Sequence, residues 1–283
     1  MNVGQLLLGL ALSAVIGGLG TWRRALSASG VLGAVITGTL IFGLGGMVWG
    51  LVLIAFFVSA SALSHYRSAQ KAHLAEKFEK GHRRDLGQTL ANGGWGALLA
   101  LAVAFVGRES AWYPCLALGY FGAMAAVNSD TWATEWGVLS PETPRLITTG
   151  QPVDVGTSGA ITRRGTLAAL AGSGFIAICT FVFIQAASLV TTGRWLLSDW
   201  FVLPVVTAAG LGGAMLDSLL GATVQRISFC QRCQKETERR QHRCGEVTVP
   251  RRGWPWLNND GVNFISSIAA SLVAALLALP FLA

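Results

Sequence analysis

A chain of 283 residues that is 52% hydrophobic and only 12% charged lies far below the roughly 25% charge of soluble domains. With a mean hydropathy of +0.53, that composition excludes a water-soluble enzyme and a disordered polyelectrolyte. The net charge of +7 does not indicate nucleic acid either, since no contiguous basic face with a recognisable reader accompanies it.

Taken in order, uncharged runs near the ~20 residues that span a bilayer recur along the chain. The first is Met1–Trp22, with Arg23 and Arg24 directly after it. It has no basic stretch ahead of its apolar core, so it predicts an uncleaved signal-anchor with its N-terminus outside. Gly30–Leu63 is 34 residues without a charge, too long for one upright helix. The GLGG at Gly43–Gly46 predicts a break and two short spans. Then come Leu86–Gly107, Ala111–Ser129, Gly165–Gly193, Trp200–Gln225 and Gly261–Ala283. The expectation is an all-α polytopic membrane protein: about eight transmembrane helices in one integral-membrane domain covering residues 1–283. The 35 glycines predict a bundle in which small residues let backbones approach closely.

Eight spans place the loops at 21–29, 64–86, 129–164 and 223–261 on one side. They hold 2, 6, 3 and 8 Lys/Arg, 19 of the 21 in the chain. Positive loops stay cytoplasmic, so both termini are expected on the non-cytoplasmic side of a multi-pass protein of the cell membrane, with its functional loops in the cytoplasm.

The chemistry concentrates on that side. Ser64–Lys80 reads as an interfacial amphipathic helix with snorkelling cations. Asp85, Gln88 and Asn92 follow at helical spacing and share one face of the entering span. Asn128, Asp130 and Thr134 sit close together on a continuing helix, with Glu135 on a neighbouring face. Arg145 and the stretch Val155–Thr166 come next; Gly, Ser and Thr leading into Arg163 and Arg164 at a helix start suit an anion, although such residues also serve as ordinary caps. Asp217 lies in the otherwise uncharged Trp200–Gln225, where a carboxylate costs at least ~2.5–3.5 kcal/mol. Asn258 or Asn259 is a natural cap for the last span, whereas Asn263 lies one turn inside. Carboxylates and amides suit Mg²⁺, and arginines beside them suit phosphate, the combination that phosphoryl transfer requires.

Of five cysteines, Cys115 and Cys179 lie alone in apolar spans and read as small packing residues. Cys230, Cys233, His242 and Cys244 form C-x2-C…H-x-C, four ligands of the kind that tetrahedral zinc takes. The alternative is a reduced loop with incidental thiols; a disulfide does not suit the reducing cytoplasm.

The elements Phe56–Ser61, Arg84–Gly93, Asp130–Gly137, Pro144–Arg145, Gly156–Gly165, Asp217–Gln225 and Asn259–Asn263 together resemble, in order and over nearly the whole chain, the integral-membrane family that includes eukaryotic transmembrane protein 19. Its plant and cyanobacterial branch includes the phytyl-phosphate kinase of the tocopherol pathway. The resemblance implies a membrane-embedded isoprenyl-phosphate kinase, moving a phosphoryl group from a nucleoside triphosphate (CTP or another) to a prenyl monophosphate with Mg²⁺. Under that reading Asp130 and Asp217 hold Mg²⁺, with Glu135 as a further ligand or base. Arg145, Arg163 and Arg164 neutralise phosphates; Lys71, Arg84, Asn92, Asn128, Thr157, Asn259 and Asn263 bind substrate. Asp130, Ala133 and Gly137 are also similar to the D-x-x-A-x-x-x-G element of polyprenol kinases and lipid cytidylyltransferases. The competing readings are such a cytidylyltransferase, an ion-coupled transporter using the broken helix and the two aspartates, and a scaffold with buried ion pairs.

Overall fold

The computed structural model describes residues 3–67 and 83–282. The predicted helix at Ser64–Lys80 therefore falls largely outside the described residues, as does Lys71. Eight long helices are described: α1 (Val3–Trp22), α2 (Ala28–Leu40), α3 (Met47–His65), α4 (Leu86–Val106), α5 (Tyr113–Gly137), α6 (Arg163–Thr192), α7 (Val202–Thr223) and α8 (Asn259–Leu282). Seven spans among the described residues are long and apolar enough to cross a membrane, one of them α2 with its extension to Gly45.

The remaining one, α5, is the exception for a physical reason. Every residue from Ala117 to Ser129 is buried, and α5 packs against α6, α7 and α8. A helix surrounded by protein needs no lipid-compatible surface, so it can carry polar groups. Asn128 Nδ2 donates to the Gly172 carbonyl (2.8 Å) and its Oδ1 accepts from Ser59 Oγ (2.9 Å). Ser129 Oγ donates to the Ala169 carbonyl (2.7 Å). These bonds tie α5 to α3 and α6. The outermost helices show the opposite pattern. On α1 the buried residues are Gly9, Ser13, Gly17 and Gly20, small groups at three- to four-residue spacing that admit a close neighbour. Large apolar side chains such as Leu7, Phe105 and Val190 stand exposed, Phe105 at 88%. In water that would be an aggregating surface; in lipid it is the matching solvent.

The long uncharged segment does break where the glycines predict. Helix α2 runs on through a π-helical turn, Ile41–Gly45, and stops at Gly46, whose φ of +101° is a conformation that L side chains rarely adopt. Arg108, from beyond α4, donates its Nη2 to the Leu44 and Gly45 carbonyls (3.3 and 3.1 Å). That supplies partners for carbonyls the break leaves outside the helical ladder.

Two small antiparallel sheets lie in the connections. β1 (Arg145–Leu146) pairs with β2 (Ala160–Ile161). β3 (Ile227–Cys230) is the centre of a three-stranded sheet between β4 (Lys235–Thr237) and β5 (Val249–Arg252).

Candidate active site

Because the helices alternate in direction, α4, α6 and α8 begin where α3, α5 and α7 end. At that end a cavity of about 400 Å³ opens, lined from all six helices and from the connections between them.

Asp130 and Asp217 both line it, for reasons of packing. Gly210 and Gly213 face α5: a Cβ on Gly210 would lie 2.6 Å from Ala125 Cβ, and one on Gly213 2.5 Å from Ala126 Cβ. Helices α5 and α7 are parallel and in close contact, so one turn further along each same face come Asp130 and Asp217. Asp217 is 9% exposed and accepts from Ser266 Oγ of α8 (3.4 Å). Asn259, Asp260 and Asn263 of α8 complete this wall. Asn258 is the cap of that helix, its Oδ1 accepting from Gly261 N (3.1 Å).

Across the cavity lies a cation. Arg84 is 9% exposed, held by a Ser27 N–H to Arg84 carbonyl bond and an Arg84 N–H to Ala25 carbonyl bond (3.0 and 2.9 Å). Its Nη1 donates to Ser61 Oγ (3.1 Å), and its guanidinium sits 5.9 Å from the Phe56 and Phe57 rings. Burial pulls its pKa below the usual value, opposed by the Glu135 carboxylate; an arginine so lowered is still a cation at neutral pH. Glu135 accepts from Ser64 Oγ (2.6 Å). The serines of α3 thus orient both an acid and a base on the cavity wall.

The third wall is the Val155–Thr166 stretch. Thr157, Ser158, Gly159, Thr162 and Gly165 line the cavity. Gly159 has φ +80°, and a Cβ there would run into the Ala222 backbone, so the loop lies flat on the end of α7 because the residue is glycine. Thr162 caps α6, its Oγ1 accepting from Gly165 N (2.9 Å). With the starts of α4 and α8, three helix N-termini border one cavity, each a favourable end for negative charge.

The structure therefore gathers Asp130, Glu135, Asp217, Arg84, Asn92, Thr157, Asn259 and Asn263 from the sequence-predicted set around one cavity. Four others lie elsewhere. Asn128 is fully buried in its bonds to α3 and α6. Arg145 is exposed and donates to the Gly150 carbonyl of its own turn (2.8 Å). Arg163 is exposed, with its backbone N–H on Glu142. Arg164 is engaged by the Leu139 carbonyl (3.1 Å) and the Trp136 ring, 4.8 Å away. Asp85 also has a local task, forming a reciprocal capping box with Gln88 at the start of α4 (2.9 and 3.1 Å). Sequence reasoning missed Ser64, Glu238 and Arg243, which line the cavity; the last two come from the cysteine loop, where no helical periodicity announces which residues turn inward. Cys230, Cys233, His242 and Cys244 do converge, their ligand atoms all within 4.8 Å of one another.

A second, apolar cleft adjoins the first. It is formed by α1, α2, α3 and α4, with Ile16, Ala34, Phe42, Leu53 and Phe57 among its lining, and it shares Arg84 and Asn92 with the polar cavity.

Comparison with known proteins places the chain in context. The family described as integral membrane protein DUF92 matches residues 11–271. Protein PGR of Arabidopsis thaliana is 31% identical, the alignment covering 96% of each chain. An uncharacterized membrane protein of Methanocaldococcus jannaschii is 30% identical over 90% of this chain and 86% of its own. The chloroplastic protein VTE6 of Arabidopsis thaliana is 27% identical over 89% of this chain and 65% of its own. No solved structure matches.

Proposed function

Since this chain belongs to the integral membrane protein family DUF92, we propose that it is a membrane-embedded phosphotransferase acting on an isoprenyl monophosphate, with a nucleoside triphosphate as donor. The observation that carries the reading is the pairing of cavities. A polar chamber with carboxylates on one wall and a buried guanidinium on another adjoins an apolar cleft, and Arg84 and Asn92 belong to both. A ligand suited to that pair has an anionic head with an apolar segment beside it; the cleft, about 60 Å³, admits the start of a hydrocarbon tail and leaves the rest to lipid. The motif resemblance to the family that includes phytyl-phosphate kinase points to the same class.

The donor set fits a hard cation. Asp130, Asp217 and the amide oxygen of Asn263 line one cavity, and oxygen ligands of this kind suit Mg²⁺. When bound, Mg²⁺ neutralises charge on the transferring phosphoryl group. The chain's own residues do the rest. Arg84 and the N-termini of α4, α6 and α8 hold phosphate oxygens. Glu135, oriented by Ser64, faces the same chamber and can position the attacking phosphate. A terminal oxygen of the prenyl monophosphate attacks the γ-phosphorus, and the bond from that phosphorus to the β-phosphate oxygen breaks. The products are a prenyl diphosphate and a nucleoside diphosphate. In phosphoryl transfer positioning and charge stabilisation supply most of the rate, which is what this cavity offers.

The test is product analysis: purified protein in detergent, Mg²⁺, a series of isoprenyl monophosphates, and each of CTP, ATP, GTP and UTP. Prenyl diphosphate with nucleoside diphosphate is the expected outcome. Pyrophosphate with a nucleotide-linked lipid would move the protein to the cytidylyltransferases.

A further inference from the structure

The turn between β3 and β4 carries Cys230 and Cys233, and the Cys233 backbone N–H points at Cys230 Sγ (3.5 Å). Opposite it a second tight turn carries His242 and Cys244, closed by Gly245 N–H to the His242 carbonyl (2.9 Å), with Gly245 at φ +86°. Between the two turns Cys230 Sγ lies 3.6 Å from Cys244 Sγ, and His242 Nδ1 lies 3.2 Å from Cys244 Sγ. Thiolates about 2.3 Å from a tetrahedral zinc stand about 3.8 Å from one another, so the chain already holds these atoms near ligand separation. No disulfide joins the described cysteines. His242 is 5% exposed, and its Nδ1 is the ring nitrogen turned toward the thiols. A buried polar ring beside three thiols is costly unless something binds it.

The same loop reaches the polar cavity. Arg243, flanked on both sides by ligands of the cluster, lines that cavity, as does Glu238. Glu238 is anchored by Gln225 Nε2 (2.9 Å), and Gln225 in turn accepts from Ser158 of the cavity's third wall (2.7 Å). Short strands and turns of polar sequence bury little apolar surface of their own, and a metal is the usual substitute for a core in so small a unit.

We propose that Cys230, Cys233, His242 and Cys244 bind one structural Zn²⁺ ion, and that this metal clip holds Arg243 at the polar cavity as an additional phosphate-binding cation. The three thiols lose their protons on binding. The metal half stands by itself; the Arg243 half rests on the phosphate reading of the cavity.

The full-length protein, purified in detergent under reducing conditions, should contain about one zinc per chain by elemental analysis. After exchange, Co²⁺ should give the visible bands of a tetrahedral thiolate site. Cys230→Ser with Cys233→Ser should lose both signals, whereas Arg243→Ala should keep them. Binding of inorganic pyrophosphate with Mg²⁺, followed by calorimetry, should weaken about tenfold in Arg243→Ala, the loss of one charge-assisted contact. Removing zinc with a chelator should weaken it as much, and doing both should add nothing. No metal uptake by monodisperse protein overturns the zinc site. Zinc present with pyrophosphate binding indifferent to its removal overturns the positioning of Arg243. Zinc present with no pyrophosphate binding by the wild-type protein overturns the phosphate reading and Arg243's role in it, and leaves the metal site standing.

Discussion

Two basic regions border the same end of the bundle, and they use their arginines in opposite ways. Around Val155–Thr166, Arg145 and Arg164 spend their guanidinium groups on backbone carbonyls and an indole ring, and Arg163 is exposed. On the other side Arg84 is buried against the cavity, and Arg243 reaches it from a loop. In the first region Arg145 and Arg164 bind the protein itself; in the second Arg84 and Arg243 line the cavity. A basic residue beside a glycine-rich stretch therefore says that charge is near, and packing decides where it points. In the first region it is the backbone, Gly159 flat on α7 and the start of α6, that faces the chamber.

Substitutions test this contrast. The largest effect is expected at the carboxylates that both regions surround: Asp130→Asn or Asp217→Asn should lower turnover about 10²-fold or more, as loss of a principal electrostatic contact does, while the protein stays folded and monodisperse by size-exclusion chromatography. Arg84→Ala should come next, cutting kcat/KM for the prenyl phosphate by about 10- to 100-fold, and Arg84→Lys should recover only part because the ammonium lacks the planar fork. Gly159→Ala attacks the first region through its backbone; forcing a Cβ into left-handed geometry against α7 costs about 1–3 kcal/mol, so activity and thermal stability should fall together. Arg145→Ala and Arg163→Ala should change kcat/KM by no more than about twofold, as substitutions away from a buried contact do; a loss matching that of Arg84→Ala would erase the contrast. Asn128→Ala should leave KM unchanged and lower stability by about 1 kcal/mol, the scale of a hydrogen bond between membrane helices.

Much of the fold was legible because membrane physics leaves few choices. Apolar length and the bias of lysine and arginine predict the spans, and Gly43–Gly46 marks the break within Gly30–Leu63. The helix that fails a simple apolarity test, α5, is the one other helices enclose, a property no local window carries. Asp217 stands out as a charge where charge is costly. Asn128 and Asp130, two residues apart, look equally functional in sequence; their positions differ by about 200° around the helix, which sends one to Gly172 and Ser59 and the other to the cavity. Arg243 and Glu238 were hidden because loop residues have no period from which direction can be read.

The most direct test of the account is a single comparison of products by mass spectrometry: wild-type and Asp130→Asn protein, each given a prenyl monophosphate, Mg²⁺ and the four nucleoside triphosphates. The proposed reaction yields a prenyl diphosphate and a nucleoside diphosphate from the wild type and about 10²-fold less from the variant. Equal turnover by both proteins, or none from folded wild type, would contradict it, the second outcome leaving ion-coupled transport through Asp130 and Asp217 as the reading to pursue.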